Sequence, residues 1–217
     1  MSTNSIGITT KIKPLNTHWM TTGLLIIIAT CWGQAGYIYA KAQLAQYLIS
    51  DAWEKSIVLS KPVRPWDWAD THPVAKLTIK QAQPLFVLAG ASNRNLAFGP
   101  VLLNADLDDI DDVNAEQSQA FNISIAAHRD THFALLETLE YGDSIALDTG
   151  KVALNFVVDE MMIVDEKDLS ILDGQDKQVI TLITCYPFDA LSSATPLRYV
   201  VQGRLVEKLH PQPLHPS

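Results

Sequence analysis

Val179-Ile180-Thr181-Leu182-Ile183-Thr184-Cys185-Tyr186-Pro187 is the stretch that decides how this chain folds. Its β-branched and apolar residues predict a strand. Pro187 has no N–H to give to a ladder, so the strand stops there. Cys185 therefore sits at a strand terminus, where a side chain can be presented to solvent. Other apolar runs of strand length lie at 74–79, 84–89, 121–127, 143–148, 152–158 and 197–206, and Gly, Pro, Asn and Asp clusters separate many of them. Only short helices are expected among them, around 114–120 and 131–139. Many strands with almost no long helix predict a mostly β chain, a barrel or a sandwich.

Upstream the pattern changes. Between His18 and Lys41 there is no formal charge, and Met20 to Ala40 includes the run Leu24-Leu25-Ile26-Ile27-Ile28. As a helix those residues span about 31 Å, the thickness of a hydrocarbon core. Trp19, Tyr37 and Tyr39 sit near its ends, where interfacial aromatics belong. Lys11 and Lys13 precede it and favour a cytoplasmic N-terminus. Ala40-Lys41-Ala42 has the small-x-small form of a signal-peptide cleavage site, but the apolar stretch is long for a signal. The helical stripe also continues through Leu44, Leu48 and Ala52, so an uncleaved anchor is the favoured reading. Residues 59–73, with Pro62, Pro65, Trp66 and Trp68, read as an extended segment on the domain surface.

The 217 residues suffice for one domain with a core, and 47% hydrophobic content excludes general disorder. Sixteen basic against 24 acidic residues, with no long basic run, leave nucleic-acid binding little electrostatic footing. The stretch 104–114 carries five aspartates. It lacks the alternating ligands and central glycine of a calcium loop and reads as a solvated acidic loop. Two cysteines exclude a disulfide scaffold. With Cys31 inside the apolar helix and Cys185 outside it, they are not expected to pair.

A lone exported thiol is either buried and inert or kept for its reactivity. The surroundings favour reactivity. The run Phe121 to Ala127 ends in His128-Arg129-Asp130-Thr131-His132, and another begins at Leu197-Arg198-Tyr199. Three strand ends can then bring together a thiol, an imidazole and a guanidinium. Nearby cations lower a thiol's pKa. An imidazole can protonate a leaving amine, and an arginine, which stays charged, can hold an oxyanion. The set suits acyl transfer through a thioester. Arg129 and Asp130 read as a local surface ion pair of small worth.

At these residues the sequence resembles the sortases. Thr181-Leu182-Ile183-Thr184-Cys185 matches their Thr-Leu-x-Thr-Cys signature. Arg198 stands where sortases carry their arginine, and His128 lies at a sortase-like distance before Cys185. Cys185-Tyr186-Pro187-Phe188-Asp189-Ala190, Pro196-Leu197-Arg198-Tyr199-Val200-Val201 and Trp66-Asp67-Trp68-Ala69-Asp70-Thr71 look like the Gram-negative class GN. The resemblance implies an eight-stranded sortase β-barrel with short helices, preceded by one transmembrane helix. It divides the chain into a cytoplasmic tail (1–18), an anchor (19–41), a linker (42–73), a catalytic domain (74–208) and a C-terminal tail (209–217).

It also implies an activity. Cys185 attacks an LPxTG-like sorting signal of a protein substrate, His128 serves as acid and base, and Arg198 steadies the oxyanion. Thr184 orients the substrate or the Cys185 loop, Ala127 lies against the substrate, and an amine acceptor receives the product. Ala127 replaces a glycine frequent in the family, so its methyl is expected to narrow the site. No cofactor or metal is implied: the second residue of His128-Arg129-Asp130-Thr131-His132 is a cation, not the glutamate of a zinc motif. The implied location is the inner membrane, with the catalytic domain periplasmic. Two rivals are weighed beside this one. An L,D-transpeptidase-like acyltransferase lacks its Ser-x-Gly-Cys-x-Arg word here. The other is a non-catalytic, membrane-tethered β module in which Cys185 is merely buried. The Trp66/Trp68 pair reads as packing of the N-terminal segment onto the barrel, or as a lid.

Overall fold

A computed structural model describes residues 17–104, 107, 120–172, 177–192 and 195–209. The helix expected at 114–120 and most of the acidic loop 104–114 fall outside them. The chain forms two compact units, Met1–Gln43 and Leu44–Ser217.

The described part of the first unit belongs to helix α1 (Thr17–Leu59), which is long and apolar enough to cross a membrane. The part of α1 from Leu44 onward belongs to the second unit and has a buried stripe at Ala45, Ile49, Ala52 and Trp53. This is the spacing of one helix face. It is rotated by about one residue from the expected stripe, and Leu44 is 56% exposed. The reason is visible in the packing: Ile49 enters an apolar cluster with Leu88 and Val101 on the outside of the barrel.

Eight strands close that barrel. They are β1 (Pro73–Ile79), β2 (Leu85–Leu88), β3 (Val101–Leu102), β4 (Phe121–Ala126), β5 (Ser144–Asp148), β6 (Ala153–Asp165), β7 (Gln178–Tyr186) and β8 (Leu197–Leu209). Their order around the wall is β1-β2-β3-β4-β7-β8-β6-β5. Most neighbours are antiparallel, but β2/β3 and β4/β7 run parallel. Alternation explains the interior: β1 buries Ala75, Leu77 and Ile79 and turns the residues between them outward. Ile123 and Ile125 of β4 meet Ile180 and Leu182 of β7 in the same core.

Two features differ from expectation. The two-residue β3 carries too little sequence to announce itself. Strand β6 runs past 158 to Asp165, because a register shift between Val158 and Glu160 absorbs Asp159 and lets pairing with β8 continue. The 131–139 region holds one turn of 3-10 helix, Ala134–Thr138.

Gly150, at the β5–β6 turn, has φ +81, and an added Cβ would collide with the Ile57 side chain. Gly150→Ala is expected to destabilise the fold by about 1–2 kcal/mol, through left-handed backbone strain and displacement of Ile57. Urea denaturation measures this, and an unchanged midpoint would contradict the account.

Candidate active site

The parallel β4/β7 pair builds the site. Parallel neighbours end on the same rim, so the residues after β4 and those at the end of β7 emerge together. Ala126 pairs with Ile183, and the Ala127 N–H donates to Ile183 O at 3.2 Å. The Thr184 hydroxyl donates to Ala127 O at 2.8 Å, a buried bond. Ala127 immediately precedes His128 and Thr184 immediately precedes Cys185, so the predecessors of the imidazole and the thiol are bonded to each other.

Strand β8 supplies the third group. Cys185 is the register partner of Arg198. Residues directly opposite in an antiparallel pair project on the same face, so the thiol and the guanidinium share one side of the sheet. Cys185 is free and partly exposed, and Cys31 is free as well. Arg198 donates through Nη1 to Thr195 O (2.6 Å) and Leu197 O (2.9 Å), and through Nη2 to Glu166 Oε2 (2.8 Å). Its guanidinium is thus held toward the end of β6 by an acid that the sequence reading did not single out.

His128 is exposed and opens a short irregular segment. Its carbonyl accepts the Phe133 N–H at 3.0 Å, and Phe133 is fully buried in the core. His132, half-buried, lies near enough to feel the His128 charge.

Thr184 and Ala127 both lie beneath the rim, and for Thr184 this fits the reading in which it orients the Cys185 segment. Thr184 is 2% and Ala127 5% exposed, and Ala127 belongs to the barrel core. Its methyl packs inward, so the structure does not show it narrowing an open groove. The pair braces the rim from beneath. Thr184→Val would leave the Ala127 carbonyl buried without its donor and is expected to cost about 1–3 kcal/mol. Urea unfolding tests this; a loss below a few tenths would show that another donor replaces the hydroxyl.

The face carrying Cys185 also holds a buried polar layer. Thr181 donates to Asn122 Oδ1 at 2.7 Å and Gln202 donates to Thr181 at 3.1 Å. Asn122 and Asn104 reach across to the carbonyls of Ile171 and Leu172, at 2.8 and 2.7 Å. The turn between β6 and β7 is thereby fastened over the outer face of β4. The alternation Asn122-Ile123-Ser124-Ile125 does signal a two-faced strand. It would be read as polar side to solvent, and the covering turn makes the difference.

Sequence reading also missed the burial of Arg129. The expected surface pair is a correction: its side chain is 4% exposed against 68% for Asp130. Beyond Cys185, Tyr186, Phe188 and Tyr199 form a three-ring cluster with centroids 5.3–6.1 Å apart, which steadies the turn. Trp66 packs 5.0 Å from Phe98 and joins the outer cluster around Ile49, the packing role weighed above.

Two histidines make stability depend on pH. Burial lowers the pKa of His132, and the nearby His128 lowers it further. Burial, helped by Arg64, does the same to His72. The unfolded chain then takes up these protons more readily than the folded one. Stability is expected to be full above about pH 6.5 and to fall as pH drops below it. Melting temperatures at pH 7.5 and 5.5 read the slope, and the His72→Asn/His132→Asn double variant should flatten it. A slope unchanged in that variant would contradict the assignment.

A sortase-domain family model matches residues 77–206. The chain belongs to the sortase family. Sortase D of Bacillus subtilis (strain 168) is 31% identical over 114 residues, 49% of this chain and 57% of that protein's length. Among solved structures, sortase A of Listeria monocytogenes aligns with a TM-score of 0.54 at 23% identity, over 65% of this sortase and 92% of that chain. A Clostridium perfringens sortase D5 transpeptidase aligns at 0.55 and 17% identity, over 76% and 99%. These two structural likenesses carry the barrel fold. The eight-stranded closed barrel expected from the resemblance is the one observed.

Proposed function

We propose that this sortase is a membrane-anchored cysteine transpeptidase that acts on a protein bearing a C-terminal, LPxTG-like sorting signal. The observation that carries this reading is the shared rim: Cys185 opposite Arg198 in register, with His128 following the parallel neighbour of β7. The partial exposure of Cys185 supports it over the inert, buried-thiol alternative.

In this mechanism the Cys185 thiolate attacks the carbonyl carbon of the scissile threonine–glycine bond. Arg198 steadies the oxyanion, using its permanent charge. The C–N bond breaks as the His128 imidazolium protonates the departing amine, leaving an acyl thioester on Cys185 and a neutral imidazole. An incoming primary amine then attacks the thioester. His128 takes its proton, the C–S bond breaks, and a new amide is released. No bound cofactor is needed for the balance.

The anchor is α1, whose apolar half is suited to crossing a membrane. Lys11 and Lys13 before it favour an inner-membrane protein with the barrel on the periplasmic side. The words around Trp66, Cys185 and Arg198 favour class GN. The proposed division of the chain remains tail, anchor, linker, catalytic domain and C-terminal tail, with its boundaries at 18, 41, 73 and 208.

A peptide library incubated with the full chain in detergent micelles and hydroxylamine tests the proposal, with products read by mass spectrometry. A hydroxamate formed on one recognisable motif is the expected result. If no peptide in the library is cleaved while Cys185 alkylates no faster than in denatured protein, the transpeptidase reading fails.

A further inference from the structure

Arg129 directly follows His128, yet its guanidinium is spent elsewhere. Nη1 donates to Pro187 O at 2.6 Å, Nη2 to Ala190 O at 2.9 Å, and Nε to Asp130 Oδ1 at 2.9 Å. Both carbonyls belong to the turn that begins two residues after Cys185. A single side chain therefore ties the segment carrying His128 to the segment leaving Cys185. A charge 4% exposed needs such partners, and burying it without them would be costly. The planar fork of arginine reaches two carbonyls and a carboxylate at once, which a lysine ammonium on a flexible stem does far less well.

The position also matters electrically. Besides Asp130, the guanidinium interacts with the ionised forms of Cys185 and Asp189. Both arginines at the rim are paired with an acid, Arg198 with Glu166 at 2.8 Å and Arg129 with Asp130 at 2.9 Å. Among the described residues, ionisable groups at this rim also include His128 and His132 on Arg129's own segment, Tyr186 and Tyr199 at the ends of β7 and β8, and Tyr141 near Tyr199. Among the described residues, Arg129 is thus the cation whose hydrogen bonds brace both segments of the site.

Resting on the transpeptidase reading above, we infer that Arg129 is a positioning residue for the Cys185–His128 pair. It clamps the turn after Cys185 to the segment after β4, and the clamp keeps thiol and imidazole in reach of one substrate bond.

The test uses the full chain in micelles, with Arg129→Gln and Arg129→Lys. Iodoacetamide labelling of Cys185 at neutral pH, read by peptide-resolved mass spectrometry that separates it from Cys31, reports whether the thiol is still presented at the rim. Steady-state kinetics on a cleaved library peptide give kcat and KM. In Arg129→Gln kcat should fall by about tenfold or more, with KM changed less than about threefold. Arg129→Lys keeps the charge and loses the fork, so its kcat should fall as well.

A wild-type kcat in Arg129→Gln would overturn the inference, as would a change confined to KM. If Arg129→Gln does not fold, Arg129→Lys decides: wild-type kcat there removes the clamp. A chain whose Cys185 labelling rate changes with Arg129, but which cleaves no peptide, would refute the transpeptidase reading and leave the clamp on the thiol's segment standing.

Discussion

Replacing Cys185 by alanine is expected to lower kcat for peptide transfer by about 10⁴-fold or more, because the sulfur is the protein atom that forms the covalent bond to substrate in the proposed mechanism. In the same mechanism Arg198 and the rim still hold the peptide, so KM should change far less. The barrel should be unaffected. Cys185 lies partly exposed at the end of β7, and its replacement opens no cavity in the core. The measurement is hydroxamate formation by mass spectrometry beside a thermal melt of the same sample. Turnover within tenfold of wild type in a folded Cys185→Ala protein would remove the thioester from the mechanism.

The second large effect belongs to Phe133. Its ring is fully buried in the barrel core, and its backbone N–H holds the His128 carbonyl at 3.0 Å. Phe133→Ala removes a buried ring and leaves a cavity, which costs about 3–5 kcal/mol. For a domain of this size that corresponds to a fall in Tm of about 10 °C. The variant should also lose kcat at temperatures where it remains folded, since the segment carrying His128 loses its anchor. Urea unfolding and kinetics at 15 °C separate the two losses. A stability change below about 1 kcal/mol would show that the core closes over the gap.

Much of this architecture is legible in the sequence, and the reasons are physical. The run from Val179 to Cys185 is β-branched and ends at a proline, so its strand and its terminus are both local facts. The apolar half of α1 is equally local. What stayed hidden depends on distant partners. Arg129 looked like half of a surface ion pair because Asp130 is its neighbour, whereas its other two acceptors lie 58 and 61 residues away. Nothing near Asn122 in the sequence reveals the Ile171 carbonyl it meets, 49 residues on. Glu166 is one of many acids until the chain folds it against Arg198. The rotated stripe on α1 has the same origin: the apolar positions are written in the helix, but which of them face inward is decided by Leu88 and Val101.

The parallel pairing of β4 with β7 has a consequence for how such a chain can vary. Everything between Ala126 and Gln178 leaves the rim and returns to it from the other end of the wall. That excursion can lengthen, shorten or acquire an insertion without sliding the two strands past each other. The interval separating imidazole from thiol along the chain is therefore free to drift between descendants, while their separation in space is set by a ladder of backbone bonds that no such insertion touches.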